Sequence, residues 1–156
     1  MIRAGAKVNA ACQSGRTALH VAAAAGLARS VQDLLESNAD IEARDFSGAT
    51  PLHCAATTGL ILRAGNPTLL NLLKSGAVVR AEDADGRTPS NLVRDMLEKP
   101  QYGWRPSEHL ALRVAQAQLK KYELSAAATA SLEEEERKGK RTTSGKGKRS
   151  KGRGSR

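Results

Sequence analysis

The sequence repeats itself at a spacing of 33 residues, and this repeat limits the possible folds more than any other feature. Residues 17–26 read TALHVAAAAG and residues 50–59 read TPLHCAATTG, so Thr, Leu, His, an Ala pair and Gly recur in register. The preceding glycines, Gly15 and Gly48, keep the same phase, and Gly86 follows 38 residues later. Self-similarity at such a period indicates a row of stacked units instead of one central core.

These two segments resemble the ankyrin repeat motif, which reads Gly-x-Thr-Pro-Leu-His-x-Ala-Ala-x-x-Gly and continues with Leu-Leu and Gly-Ala. The resemblance implies an all-α fold, an ankyrin-type solenoid of helix-turn-helix repeats joined by β-turns. Because the first residues align with the end of a repeat, we expect the native chain to carry further repeats upstream. The predicted segments are a remnant of a truncated repeat (1–11), an ankyrin repeat (12–44), an ankyrin repeat with a five-residue insert (45–82), a degenerate terminal repeat (83–106), a capping helix (107–136) and a disordered basic tail (137–156).

Local signals predict two helices in each full repeat. In the first repeat Thr17 supplies an N-cap oxygen, and the second helix is expected over residues 27–37. In the second repeat Pro67 suits the first position of a helix that continues to Ser75. The extra residues, about 63–67, then lengthen the loop between helices, and we interpret them as a tolerated surface loop in preference to a binding element. The buried stripe of the first helix is predicted to be Ala18, Leu19, Ala22 and Ala23.

The third repeat departs from the motif after its turn. Ser90-Asn91-Leu92 stands where Leu-His-x is expected, and Pro100 ends the helix. Tyr102 and Trp104 follow in a loop, and we interpret them as a cover for the open end of the stack. The alternative is that these two aromatic side chains are exposed anchors for a partner.

A last helix is predicted from Ser107, with an apolar face at helical spacing. We interpret it as a capping helix that docks on the third repeat. A coiled-coil arm is the alternative, which we discount because fewer than three heptads are present. The helix is expected to continue through residues 133–136 and to end at Gly139. Its apolar face comprises Leu112, Ala115, Leu119 and Tyr122.

The net charge of +9 is concentrated at the C-terminal end, where residues 132–156 hold ten Lys/Arg and four Asp/Glu. Residues 140–156 contain no side chain that could bury apolar surface, so this tail is expected to be disordered. Such a tail could solubilise the protein, direct nuclear import or make a sequence-independent contact with nucleic acid or another polyanion. The candidate nuclear-import signal comprises Lys138, Lys140, Arg141, Lys148 and Arg149.

The sequence lacks the usual signs of secretion, membrane insertion and catalysis. It has no run of eighteen apolar residues and no secretory leader pattern, and its two cysteines make no disulfide framework. We therefore expect an intracellular protein, cytoplasmic, nuclear or both. A phosphate-binding loop, a nucleophile elbow and a pair of catalytic carboxylates are all missing, so we predict neither an enzyme nor a cofactor.

The histidines near the two cysteines do not suggest a metal site. His20 and His53 lie one repeat period apart, which is not a ligand spacing, so no metal is predicted. The resemblance instead implies a structural role, in which each imidazole bonds to the threonine of its own repeat, Thr17 or Thr50, and to the neighbouring turn.

The resemblance implies a protein-binding function, carried by a rigid stack whose turn tips can vary without affecting the buried stripe. Phe46 is the best candidate anchor, and three tip aspartates would favour a basic partner sequence. The alternative function is a nucleic-acid-associated protein whose basic tail carries the affinity. The partner's identity is not predicted. Candidate partner-binding residues are Gln13, Ser14, Arg16, Asp45, Phe46, Ser47, Asp83, Ala84, Asp85 and Arg87.

Overall fold

The structure is a computed structural model. It describes the backbone of residues 7–57, 67–99 and 105–143, and the side chains of these ranges as far as residue 134. Four sequence predictions lie wholly or partly outside the described residues. They concern the first six residues of the repeat remnant, insert residues 63–66, the loop with Tyr102 and Trp104, and the tail beyond residue 143 with Lys148 and Arg149.

The described residues form six helices and no strand. The predicted all-α class and the helix-turn-helix repeats are therefore confirmed. The second helix of the first repeat is one residue shorter at each end than the predicted range 27–37. The helices are α1 (Ala18–Ala24), α2 (Ala28–Glu36), α3 (Pro51–Thr57), α4 (Pro67–Lys74), α5 (Pro89–Glu98) and α6 (Pro106–Thr143).

The helices of the repeats form an inner and an outer row. α1 packs on α3 and α3 packs on α5, whereas α2 packs on α4 and each outer helix also contacts the inner helix of its own repeat. The inner helices approach closely because alanine pairs, Ala22-Ala23 and Ala55-Ala56, fill the contact with side chains of a single carbon. Longer side chains fill the space between the rows, and the fully buried ones include Leu19, Leu52, Leu69 and Leu72.

One member of the predicted buried stripe of α1 is not buried. Leu19, Ala22 and Ala23 are covered, but Ala18 is exposed, and Val21 is 56% exposed. The equivalent positions of α3, Pro51 and Cys54, are buried. The difference arises because α3 has an inner helix on both sides, whereas α1 has an inner neighbour only on the α3 side within the described residues.

The first half of α6 covers the third repeat, as a capping helix would. Leu112, Ala115 and Leu119 are fully buried and belong to the same apolar cluster as Val93 of α5. Ser90 Oγ at the start of α5 also donates a hydrogen bond to Glu123 Oε1 of α6.

The predicted end of α6 at Gly139 is wrong, since the helix continues to Thr143 and residues 137–143 are helical instead of disordered. One glycine in a helix costs only about 1 kcal/mol relative to alanine, which is too little to end a long helix by itself. The chain divides after Glu123 into two compact units. The first holds the repeats and the buried part of α6, and the second begins at Leu124. None of the helices in the described ranges combines the length and apolarity needed to span a membrane.

Candidate functional site

The three turn tips, residues 12–14, 45–47 and 83–85, are tight turns built in the same way. In each turn the glycine after the tip donates its N–H to the first tip residue, at 2.9 Å for Gly15 to Cys12 O and 2.8 Å for Gly48 to Asp45 O. The third turn repeats this bond at 3.0 Å with Gly86 as the donor. The tip residues therefore have a fixed backbone before any partner arrives.

Backbone hydrogen bonds also connect each turn tip to the next. Phe46 N donates to Ser14 O at 3.2 Å, and Ala84 N donates to Ser47 O at 2.9 Å. The second residue of one tip is thus bonded to the third residue of the preceding tip. This ladder holds the three tips in one row and sets the spacing between their side chains.

The Asp45 carboxylate is used inside its own turn. Oδ1 accepts hydrogen bonds from the backbone N–H of Ser47 and Ala49 at 2.9 and 3.0 Å, and Oδ2 accepts one from Arg16 Nε of the preceding repeat at 3.2 Å. Burial raises the pKa of Asp45, but the hydrogen bonds from Ser47, Ala49 and Arg16 outweigh it and hold the pKa below its ordinary value. The carboxylate stabilises the turn as an anion.

Asp83 has the same role in the third turn. Its Oδ1 accepts from the backbone N–H of Asp85 and Arg87, both at 2.9 Å, and Arg87 Nε donates to Oδ2 at 3.0 Å. Burial raises the pKa of Asp83, but the bonds from Arg87 and Asp85 outweigh it and lower the pKa overall. Both carboxylates therefore form Asx turns, in which an aspartate accepts the backbone N–H two residues ahead. The sequence signal is only an aspartate at the start of a turn, which does not fix where its carboxylate points.

These contacts change the expected chemistry of the site. Asp45 and Asp83 are buried, so they are removed from the candidate contact residues. Asp85 is the one tip aspartate that remains exposed, with 69% of its side chain accessible, and Arg87 already pairs with it at 2.6 Å. Two of the three carboxylates that led us to expect a basic partner are therefore unavailable for binding. The exposed candidates that remain are Gln13, Ser14, Arg16, Phe46, Ser47, Ala84, Asp85 and Arg87.

Phe46 is the most prominent side chain of the row. It is 81% exposed, more than any other large apolar residue in the described part of the chain. One edge of its ring rests on Gly15, since a Cβ built at Gly15 would lie 2.6 Å from Phe46 Cδ1. The ring is therefore supported from below while most of its surface faces solvent. Arg16, next to Gly15, is half exposed beside it.

The motif histidines connect each repeat to the next turn. The backbone N–H of Thr17 donates to His20 Nδ1 at 3.2 Å, and that of Thr50 donates to His53 Nδ1 at 3.1 Å. Because a backbone N–H can only donate, each Nδ1 is an acceptor and the proton lies on Nε2. Nε2 of His20 and of His53 then donates to Ala49 O and Arg87 O, both at 3.0 Å.

Asn91 replaces the histidine in the third repeat. There Thr88 Oγ1 accepts the backbone N–H of Asn91 at 3.3 Å, which is the ordinary N-cap bond. In the first two repeats the imidazole binds a carbonyl of the following turn, and no further repeat turn follows α5 in the described residues.

Acidification is expected to destabilise the stack, starting below about pH 6.5. Burial lowers the pKa of His53 below its ordinary value, more than the acceptor oxygen of Arg87 raises it. The unfolded chain therefore binds a proton that the folded chain does not, so this stability is complete above the unfolded pKa and falls as the pH decreases. The lowered pKa values of Asp45 and Asp83 add a second loss at lower pH. Urea unfolding followed by circular dichroism between pH 4 and 8 measures both.

In His53→Asn the free energy of unfolding should fall less steeply just below about pH 6.5, because asparagine does not titrate. His109→Asn is the matched control, since His109 lies in α6 with no hydrogen bond to a turn among the described residues. A decline of unchanged steepness in His53→Asn would contradict the assignment to His53.

No cluster of metal-binding side chains occurs among the described residues. Cys12 is exposed at a tip and Cys54 is buried in α3, and no disulfide joins them. Of the candidate import signal, Lys138, Lys140 and Arg141 lie within the helical backbone of α6.

Comparison with protein-family models matches residues 1–83, just over half of the chain, to ankyrin repeats in three copies. The search of curated proteins returned no match.

Proposed function

The chain belongs to the ankyrin repeat family, and on this premise we propose that it is an interaction module, an adaptor or regulator that binds another protein through its turn tips. Ankyrin repeats generally mediate protein–protein interactions and are generally not enzymes. The observation that supports the proposal most is Phe46, which is 81% exposed at a tip with a fixed backbone. Large aromatic residues are typical binding anchors, and a tip that is already ordered loses little entropy on binding.

The partner should present an apolar side chain to Phe46. Arg16 beside it uses Nε for Asp45, which leaves the end of its half-exposed guanidinium toward solvent. Arg87 forms ion pairs with Asp83 and Asp85 within its own turn. The surface therefore offers one aromatic ring with a cation next to it, and the proposed function includes neither a metal nor a cofactor.

Phe46→Ala is expected to weaken partner binding more than tenfold, because truncating an anchor residue typically removes about 2 kcal/mol or more. The measurement is capture from an extract of the native cells on immobilised full chain, followed by titration of the recovered partner. Leu110→Ala is the matched control, since Leu110 is 62% exposed and belongs to α6, not to a turn tip. Equal loss with both variants, or no loss with Phe46→Ala, would refute binding through the tips.

We further propose that the basic tail supplies nuclear import or a weak contact with a polyanion. The ten Lys/Arg among residues 132–156 support this, and they also support the alternative in which the tail carries the affinity for nucleic acid. The same capture experiment separates the two functions. A contact through the tail should be lost in high salt or after nuclease treatment and be insensitive to Phe46→Ala, whereas a contact through the tips should show the opposite behaviour.

A further inference from the structure

The second half of α6 carries apolar side chains that nothing covers within the described residues. Leu124 is 65% exposed and Leu132 is 64% exposed, and Ala128 between them is also exposed. The spacing i, i+4, i+8 keeps these three side chains within about 40° of one helix face. Large exposed leucines on one face of a helix indicate a contact surface when they lie together.

We propose that this face binds the same face of a second copy of the chain, as an antiparallel helix pair centred on Ala128. In that register residues whose numbers sum to 256 face each other. Leu124 of each copy then packs on Leu132 of the other, Ser125 lies opposite Ser131, and the two Ala128 residues meet at the centre. Small residues at the centre let the two helix backbones approach closely.

The charges at the two ends of the face select this partner and this orientation. In the antiparallel register position 121 of one copy is paired with position 135 of the other, and position 120 with position 136. The sequence has lysine at residues 120 and 121 and glutamate at residues 135 and 136, so the backbone register alone brings opposite charges to each end of the contact. A parallel pair in register would instead bring lysine to lysine and glutamate to glutamate, which is unfavourable.

The like charges in the stretch do not conflict with this arrangement. The numbers of Glu123 and Glu133 also sum to 256, so these two like charges share a level of the helix pair. At 100° per residue, however, both lie about 140° from Ala128, on the far side of the helix. The contact is short, about 21 Å from residue 121 to residue 135, and fewer than three heptads fit it. The dimer is therefore expected to be weak and to dissociate on dilution.

Sedimentation velocity of the full chain over a concentration series tests the proposal. The wild-type chain should dimerise reversibly, and Lys121→Glu or Glu135→Lys alone should weaken the dimer about tenfold or more, since each change replaces two attractive pairs by two repulsive ones. The double variant Lys121→Glu with Glu135→Lys restores opposite charges in the antiparallel register and should restore the dimer. Leu124→Ala with Leu132→Ala should abolish it.

Glu133→Lys is the matched control, because it makes the same charge change as Glu135→Lys on the far side of the helix. All these positions lie on one surface helix, and circular dichroism shows whether each variant is still folded. A chain that is monomeric at every concentration would overturn the proposal. So would a dimer that survives the leucine changes, single charge reversals without effect, or a double variant that fails to recover.

Discussion

Gly48→Ala is expected to lower the free energy of unfolding by about 2–5 kcal/mol. Gly48 has a φ of +73°, where alanine is less stable than glycine by about 1–2 kcal/mol. An added Cβ would also lie 2.7 Å from Ala84 N, the atom that donates to Ser47 O. The new methyl group has to displace the next turn and its hydrogen bond, and overpacking of this kind costs about 1–3 kcal/mol.

Gly86→Ala separates these two effects. Gly86 has nearly the same φ, +72°, but a Cβ there would have nothing within 4 Å. It should therefore lose only the conformational part, and Gly48→Ala should be less stable than Gly86→Ala by about 1–3 kcal/mol. Guanidinium unfolding of both variants, with the slope checked for constancy, gives the difference. Equal losses of stability in the two variants would mean that the contact between the turns does not disfavour a side chain at residue 48.

The repeat architecture could be predicted from the sequence because each of its signals is local and occurs more than once. Thr17, His20 and Gly15 recur as Thr50, His53 and Gly48, so an error in one repeat would show as a conflict with the other. The helix bounds follow within a few residues because proline and glycine stand at the turns. The exposure of Phe46 could be predicted as well, because an aromatic residue at a turn tip has no core role in the repeat pattern.

The roles of the tip aspartates could not be predicted in the same way. A carboxylate at a turn can face a partner or turn back to the N–H groups two and four residues ahead, and the choice depends on the backbone geometry. For Asp45 and Asp83 the turn supplies those donors, and an arginine binds the other carboxylate oxygen. Asp85, one position before its glycine, has no such cradle and stays exposed.

Two other differences depend on surroundings that the pattern does not contain. Ala18 is exposed although its counterpart Pro51 is buried, because burial depends on the neighbouring helix and not on the motif itself. The length of α6 depends on whether the cost of one glycine, Gly139, exceeds the stability of the rest of the helix. The rule that glycine ends a helix does not compare these two free energies. The identity of the partner is beyond any such rule, since exposed side chains at the tips are not constrained by folding.

His53→Ala is expected to cost about 3 kcal/mol or more of stability. The substitution removes the acceptor for Thr50 N and the donor for Arg87 O, and a buried backbone group left without a partner costs about 1–3 kcal/mol. The missing ring also leaves a cavity beside residues that are fully buried. His53→Asn should be less harmful, because Oδ1 can accept the bond from Thr50 N although it cannot reach Arg87 O. Denaturant unfolding of the two variants separates the capping bond from the bond to the next turn.

His53→Ala and Gly48→Ala should not be additive. Nε2 of His53 donates to Arg87 O, and Ser47 O, next to Gly48, accepts from Ala84 N. Both hydrogen bonds therefore connect the second repeat to the third turn. Once Gly48→Ala has displaced the third turn, the hydrogen bond from His53 to Arg87 O contributes less to stability. The double variant should therefore retain about 0.5–3 kcal/mol more stability than the sum of the two single losses predicts. Gly86→Ala with His53→Ala is the control pair, since an alanine at residue 86 touches no neighbouring turn. Full additivity of the first pair would show that the two links stabilise separate parts of the stack.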